Sequence, residues 1–322
     1  MGMNLECMLY LQKQGYLTQT KNKLLDIGPQ NIYHATKNQL HHFCQNQGIT
    51  QFDEALVTEL KRIEYFSTPR PEERTSLLSE LTDLTNIEYN SFDVCPALKT
   101  EILDLNFDDL PKQHSEYFDV ILNFGTTEHI FNQWNSFKII HDAAKVDGII
   151  YHQLPGTGYL DHGYYCYTPV FFHDLAQANQ YEILDLFFTE AGSNDFDRLG
   201  MDFRHIEQLS TKQSANLKGG RIPCFNINVI LKKIVNTPFR CVLELATTHS
   251  AVNSEIAQRY LTSADLNAMI EKLTNQLNQV MTERNEMIKE RNQMKNDLDG
   301  VLQSKSWRIT KPLRYAMRSI RS

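Results

Sequence analysis

Several acids and one glycine turn stand where short apolar runs stop. The run KLLDIG at 23–28 carries Asp26 and ends on Gly28. A glycine there lets backbone N–H groups and the start of the next helix approach a ligand closely. Gln30 and Tyr33 occupy the second and third glycine positions of the usual nucleotide-binding turn. A dinucleotide pyrophosphate needs that close approach, so NAD and FAD do not fit. Asp93 lies at the end of the next run, YNSFDV at 89–94, where a carboxylate can accept both hydroxyls of a ribose. Asp104 follows the run at 100–103 and can accept from an exocyclic amino group; Asn123 stands near the end of FDVILNF at 118–124 and joins the same set. Singly, such acids are more often turn or cap residues. Their recurrence at successive strand ends points to one shared ligand.

A second set concerns proton transfer. His129, His152 and His162 lie at or after the fourth and fifth runs, with Asp161, Tyr164, Tyr165 and Tyr167 close to the last. Histidine titrates near neutral pH and can take the proton of a hydroxyl nucleophile. The competing reading makes His129 a helix-start residue bonded within the scaffold. No HxxxH, HExxH or CxxC pair occurs, so no spacing supports a metal site and no metal ligands are assigned, while the need for a metal stays open.

These residues need a scaffold that brings strand ends together. Apolar runs at 23–28, 89–94, 100–103, 118–124, 148–154, 182–188 and 225–232 read as strands, with helix-compatible stretches such as 132–144 and 169–180 between most of them. Strands alternating with helices predict an α/β, doubly wound, seven-stranded Rossmann-like sheet over residues 1–235. The 34–84 segment is long and polar and reads as helices plus an irregular insertion over the carboxyl edge of the sheet. It explains why Asp93 lies 67 residues after Asp26 instead of about 20. A second polar insertion is expected at 193–220 and a linker at 236–263.

The segments LLDIGPQ, FDV, EILDLNFDDLP, FDVILNFGTTEHIFNQ and KVDGIIYHQLP occur in this order over about residues 20–235. Together they resemble class I S-adenosylmethionine-dependent methyltransferases. Glu128-His129 and Gly148 match that family's post-strand Glu-His and the glycine before its fifth strand. The GTTEHI, YHQLP and DHGYY set is similar to a bacterial subgroup of unassigned substrate. The resemblance implies a sheet order 3-2-1-4-5-7-6 with an antiparallel seventh strand, and S-adenosylmethionine as cofactor. That cofactor has no phosphates and tolerates the altered glycine loop; Pro29-Gln30 is the departure from the family pattern and bears on the cofactor pose. The Asn-Pro-Pro-aromatic signature of amide and nucleobase amino methylation is absent after the fourth strand, so an oxygen acceptor is expected.

Beyond the domain, Leu266, Ile270, Leu273, Leu277, Val280, Arg284, Met287, Arg291, Met294, Leu298 and Val301 step alternately by four and three. This heptad seam predicts a coiled coil over 264–303 and a homodimer through it. The last segment, 304–322, is a basic amphipathic tail carrying Lys305, Arg308, Lys311, Arg314, Arg318 and Arg321 around Trp307. Such a tail can lie on an anionic leaflet. Its Ser-Trp-Arg-x-Thr-x-Pro-Leu-Arg pattern resembles the tails of bacterial surface-polysaccharide glycosyltransferases and methyltransferases.

The net charge of -7 in 322 residues argues against nucleic acid as a partner. Six scattered cysteines read as reduced, mostly packed thiols. Without a leader-like start or an apolar run of about 18 residues, cytoplasmic residence is expected, with peripheral attachment at the inner membrane face. The expected activity is O-methylation of a glycan or a related hydroxyl-bearing metabolite. The alternative is a catalytically degenerate methyltransferase-fold scaffold that gathers partners at the membrane through its coil.

Overall fold

The computed structural model describes residues 2–67, 77–190, 224–244, 255–256, 259–260 and 263–314. Two short strands near the start, β1 (Gly2–Asn4) and β3 (Asn31–Tyr33), pair in parallel with each other. The main sheet is built from β2 (Lys23–Ile27), β4 (Glu88–Asp93), β5 (Thr100–Ile102), β6 (Phe118–Phe124), β7 (Ala144–Thr157), β8 (Tyr181–Glu190) and β9 (Phe225–Lys233). Its order is β5-β4-β2-β6-β7-β9-β8. β9 runs antiparallel to both β7 and β8, and the other pairings are parallel. Numbered along the main sheet alone, this is the 3-2-1-4-5-7-6 order that the family resemblance implies. All seven expected strands form.

The central strands explain themselves. β2 and β6 are almost wholly buried, as parallel strands covered on both faces must be. Successive side chains point to opposite faces, so Leu24 and Leu122 enter one core while Leu25 and Ile121 enter the other. The first core is covered by α1 (Glu6–Lys13), α2 (Lys37–Asn46), α3 (Glu54–Phe66) and α4 (Leu77–Asp83). They contribute Leu11, Leu40, Phe43, Leu60, Ile63 and Leu81. Polar side chains start two of these helices: Thr36 and Gln39 form a reciprocal capping box, and Asp53 accepts from Leu56 N–H.

The described helices of the 34–84 segment therefore form a layer on one sheet face. Their buried apolar residues recur at helical spacing, and that stripe needs a core to face. The expected irregular stretch falls largely on residues 68–76, which lie outside the described residues. The opposite core is covered by α5 (Gln133–Ala143) and α6 (Pro169–Asn179), through Phe137, Ile140, Phe172 and Leu175.

The chain divides into two compact units, Met1–Tyr260 and Leu261–Ser322. The start of the expected linker is packed. His141 Nε2 donates to the Thr237 carbonyl at 2.7 Å, Asn179 exchanges hydrogen bonds with the Arg240 backbone, and the Phe239 ring lies 4.9 Å from that of Trp134. The 193–220 insertion lies outside the described residues. In the second unit α7 (Ser263–Gln303) is one helix of 41 residues. α8 (Lys305–Ile309) follows, with the Ser304 hydroxyl accepting from Trp307 N–H. Arg314 lays its guanidinium 3.4 Å from the centre of the Trp307 ring. Among the described residues no helix is long and apolar enough to cross a membrane. Cys7 and Cys44 are buried, whereas Cys95, Cys166 and Cys241 are exposed, so packing accounts for only part of the cysteine set.

Candidate active site

The sheet reverses direction of growth between β2 and β6, and ligands of doubly wound folds bind beyond the strand ends at that point. There Gly28 adopts φ 83°, and its N–H donates to the Phe92 carbonyl at 2.9 Å. The Thr126 hydroxyl donates to the Ile27 carbonyl, tying the turn after β6 to the end of β2.

The residues expected on the cofactor side fall into three groups. Asp26 is buried; its Oδ2 accepts from Gln30 N–H at 2.9 Å and Tyr89 O–H at 2.8 Å. Its Oδ1 has no hydrogen-bond partner. Burial pushes this carboxyl up to about 7, against the lowering effect of those two donors. Gln30 is equally buried, and its Nε2 bridges the Gly28 and Phe124 carbonyls at 2.9 and 2.8 Å while its Oε1 stays unpaired. The glutamine thus fills the space that a second glycine would leave open between the two strand ends.

Asp93 ends β4, half-buried, with Oδ1 accepting from Cys95 N–H. Asp104 organises its own turn: its Oδ1 accepts from Asn106 N–H, and its N–H donates to Asp108 Oδ2.

Asn123 and His152 point into the core instead. Both are buried, and Asn123 Nδ2 donates to His152 Nδ1 and to the Thr127 hydroxyl, each at 2.9 Å. The His152 ring lies between Phe137 and Phe172, 5.4 and 5.3 Å away, and burial pulls its pKa down to about 3. His152 alternates with the strand onto the α5–α6 face, so it meets no acceptor. Together the pair braces the turn after β6, and the roles expected for them in catalysis and cofactor binding do not fit this placement.

His129 and His162 are brought together, and with them comes Glu128, which was not in the expected set. Glu128 and His129 lie on a single 3₁₀ turn, Thr127–His129, directly after β6. The turn is held by Gln133 Nε2 donating to the Thr127 and Ile130 carbonyls, and by Tyr167 bonded to both Thr127 and Gln133. The loop after β7 then folds back over it: Tyr164 N–H donates to the Glu128 carbonyl at 2.7 Å. Gly163, at φ 72°, makes this approach possible, since a Cβ there would lie 2.8 Å from Glu128 Cγ.

The result sets His162 Nε2 3.6 Å and His129 Nε2 3.8 Å from Glu128 Oε1. The two imidazole rings meet edge to face with centroids 4.7 Å apart. Glu128 is wholly buried, neither of its carboxylate oxygens has a hydrogen-bond partner, and burial raises its pKa to about 7. Burial and the neighbouring His162 hold His129 below the ordinary imidazole value. Both histidine side chains remain 40–46% exposed. The convergence depends on a loop 33 residues downstream of His129, and no local spacing in the sequence signals it.

No family model matches the chain, and no curated protein matches it. Solved structures do show likeness. A SAM-dependent methyltransferase from Archaeoglobus fulgidus is similar at 12% identity over 71% of this chain and 94% of its own, with a TM-score of 0.38. The YcgJ protein from Bacillus subtilis is similar at 10% identity over 72% of this chain and 100% of its own, with a TM-score of 0.38. The 1,6-didemethyltoxoflavin-N1-methyltransferase of Burkholderia thailandensis, solved with 1,6-didemethyltoxoflavin and S-adenosylhomocysteine, is similar at 9% identity over 70% and 76%, with a TM-score of 0.35. The Rossmann-like fold rests on the strand order of the sheet itself.

Proposed function

We propose that the chain is an S-adenosylmethionine-dependent methyltransferase that methylates a hydroxyl of a glycan or related metabolite during synthesis of a cell-surface polysaccharide. The observation that carries this reading is the convergence of Glu128, His129 and His162 beside the switch point of the sheet. When bound, S-adenosylmethionine supplies an electrophilic methyl group.

The residues fit that cofactor. Asp26 Oδ1 and Gln30 Oε1 are buried acceptors without donors, and an α-ammonium group is a donor of the kind they lack. Asp93 at the end of β4 supports binding of the ribose hydroxyls, and the glycine turn at Gly28 supports close approach of the amino-acid half. The chain's own work is then to align the acceptor and remove its proton. An imidazole held below its ordinary pKa is neutral at pH 7 and available for that task, which favours His129. The basic segment with Trp307 supports residence on an anionic membrane face.

Calorimetry on the full chain tests the cofactor half. S-adenosylmethionine or S-adenosylhomocysteine is expected to bind, and Asp93→Ala to weaken binding about 10- to 100-fold, the loss of about 1.5–3 kcal/mol in hydrogen bonds to a charged group. Absence of binding to either ligand sinks the enzyme reading.

The bridge that Gln30 makes between Gly28 and Phe124 favours a second reading: a degenerate domain serving as a scaffold at the membrane. Transfer of labelled methyl groups into a glycan-lipid fraction excludes it. Cofactor binding without transfer to any fraction supports it.

A further inference from the structure

Glu128 poses a problem that proton transfer alone does not answer. A buried carboxyl with both oxygens unpaired is strongly unfavourable, and native structures retain such groups only with a compensating partner. The two imidazole nitrogens facing Oε1 stand at 3.6 and 3.8 Å, too far to satisfy it by hydrogen bonds. One ligand atom from each of the three side chains can be chosen so that all lie within 4.8 Å of one another. A tetrahedral ion with ligand bonds of about 2.0–2.2 Å separates its ligand atoms by about 3.3–3.6 Å. The observed spacing matches atoms that share an ion, to within a few tenths of an ångström for the two measured pairs.

We propose that Glu128, His129 and His162 form a three-ligand site for a divalent first-row transition ion, best matched by zinc, with its remaining positions open to the acceptor. The donor set decides the class of ion. Two imidazoles and one carboxylate suit zinc and its neighbours, whereas magnesium and calcium prefer oxygen donors throughout. Three protein ligands with room for a further one is the pattern of catalytic sites, not structural ones. The half-exposed histidines provide that room. The site is also built: Gly163 and the bond from Tyr164 N–H to the Glu128 carbonyl hold the loop that delivers His162.

The ion's use in catalysis rests on the methyl-transfer reading; the binding site does not. A divalent ion lowers the pKa of an oxygen beside it toward neutrality. The acceptor O–H bond then breaks with its proton leaving to solvent, and the O–C bond forms as the sulfonium C–S bond breaks to leave a thioether. A histidine whose Nε2 faces the ion has no lone pair for a proton, so this moves proton removal from His129 to the ion.

The test uses the full chain, stripped with a chelator, and titrated with Zn²⁺ by calorimetry and with Co²⁺ by visible absorption. One ion per chain is expected, with affinity lowered more than about 100-fold in Glu128→Gln and in His162→Ala, since even outer partners of metal ligands are worth 10–100-fold. His162→Ala lies on an exposed loop and guards against a folding defect at buried Glu128. Gly163→Ala, which removes no ligand, is expected to weaken binding by displacing the loop, while His114→Gln is expected to leave it unchanged.

Absence of saturable binding, or wild-type affinity in both Glu128→Gln and His162→Ala, overturns the site. Methyl transfer that persists in metal-free protein overturns the site's catalytic use and leaves the methyltransferase reading standing. Zinc binding without S-adenosylmethionine binding supports the site and removes that reading.

Discussion

Buried acids at the carboxyl edge are expensive residues to keep, and Asp26 shows the consequence most directly. Its carboxyl sits in the interior with Tyr89 and Gln30 on one oxygen, nothing on the other, and Asp93 near enough to raise its pKa further. The folded chain holds this proton more tightly than the unfolded chain does. The associated stability is complete below the ordinary value of 3.8 and is lost as pH rises through about 7. Between pH 5 and pH 8 the ligand-free wild type is therefore expected to lose more stability, or gain less, than an Asp26→Asn variant does. Glu128, whose burial acts in the same direction, and His141 and His152, whose depressed pKa values act in the opposite one, are common to both proteins and cancel in the comparison. Melting curves across this range that leave wild type and Asp26→Asn with the same slope would contradict the assignment.

At the scale of elements, the end of β9 carries weight that its sequence conceals. Lys233 is buried, and its ammonium donates to the His141 and Ala144 carbonyls at 2.9 and 3.0 Å. It thereby caps the carboxyl end of α5, where a cation meets both unpaired carbonyls and the helix dipole. Lys233→Met keeps the stem and removes the donor, so a loss of about 1–3 kcal/mol is expected from the two carbonyls left without it. A denaturant midpoint unchanged from wild type would refute this role.

The same scale shows what the residues disclosed beforehand. The seven strands were legible because each is a short apolar run between turn residues, and a run such as FDVILNF is buried on both faces. The helices within 34–84 were legible as helices, but the sheet face they cover was not, because polar residues outnumber the few, Leu40, Phe43, Leu60 and Ile63, that anchor them. His152 could not be told from His129 by type or by strand end; strand alternation turns one inward while a 3₁₀ turn turns the other outward. Glu128 was legible as a motif neighbour of His129 but not as the member that binds the cluster together. That role depends on Gly163 closing a distant loop.

Over the whole molecule, α7 is the least explained element on its own. Leu273, Leu277, Val280, Met287, Met294, Leu298 and Val301 are all more than half exposed, in heptad register with Arg284 and Arg291. A helix of 41 residues extends about 62 Å at about 1.5 Å per residue. We propose that two copies pair through this seam as a parallel homodimer. The arginines favour two strands over four because their long stems can carry charge out of a two-stranded seam. Paired tails would then bind an anionic surface with greater avidity than one. Light scattering is expected to find a dimer for the full chain and a monomer for a chain ending at residue 262. The same oligomeric state in both would exclude α7 as the dimerising element.

The placement of β9 also has a bearing on how the chain is made. Among the described residues β8 has no direct strand partner other than β9, which is inserted between it and β7. During synthesis β7 therefore leaves the ribosome with an open edge, and β8 leaves with no sheet to join, until residues 225–233 follow. Translation at about 5–20 residues per second gives that open edge several seconds in which to pair with something else. The described sheet is thus completed by a late event, after its other strands have left the ribosome.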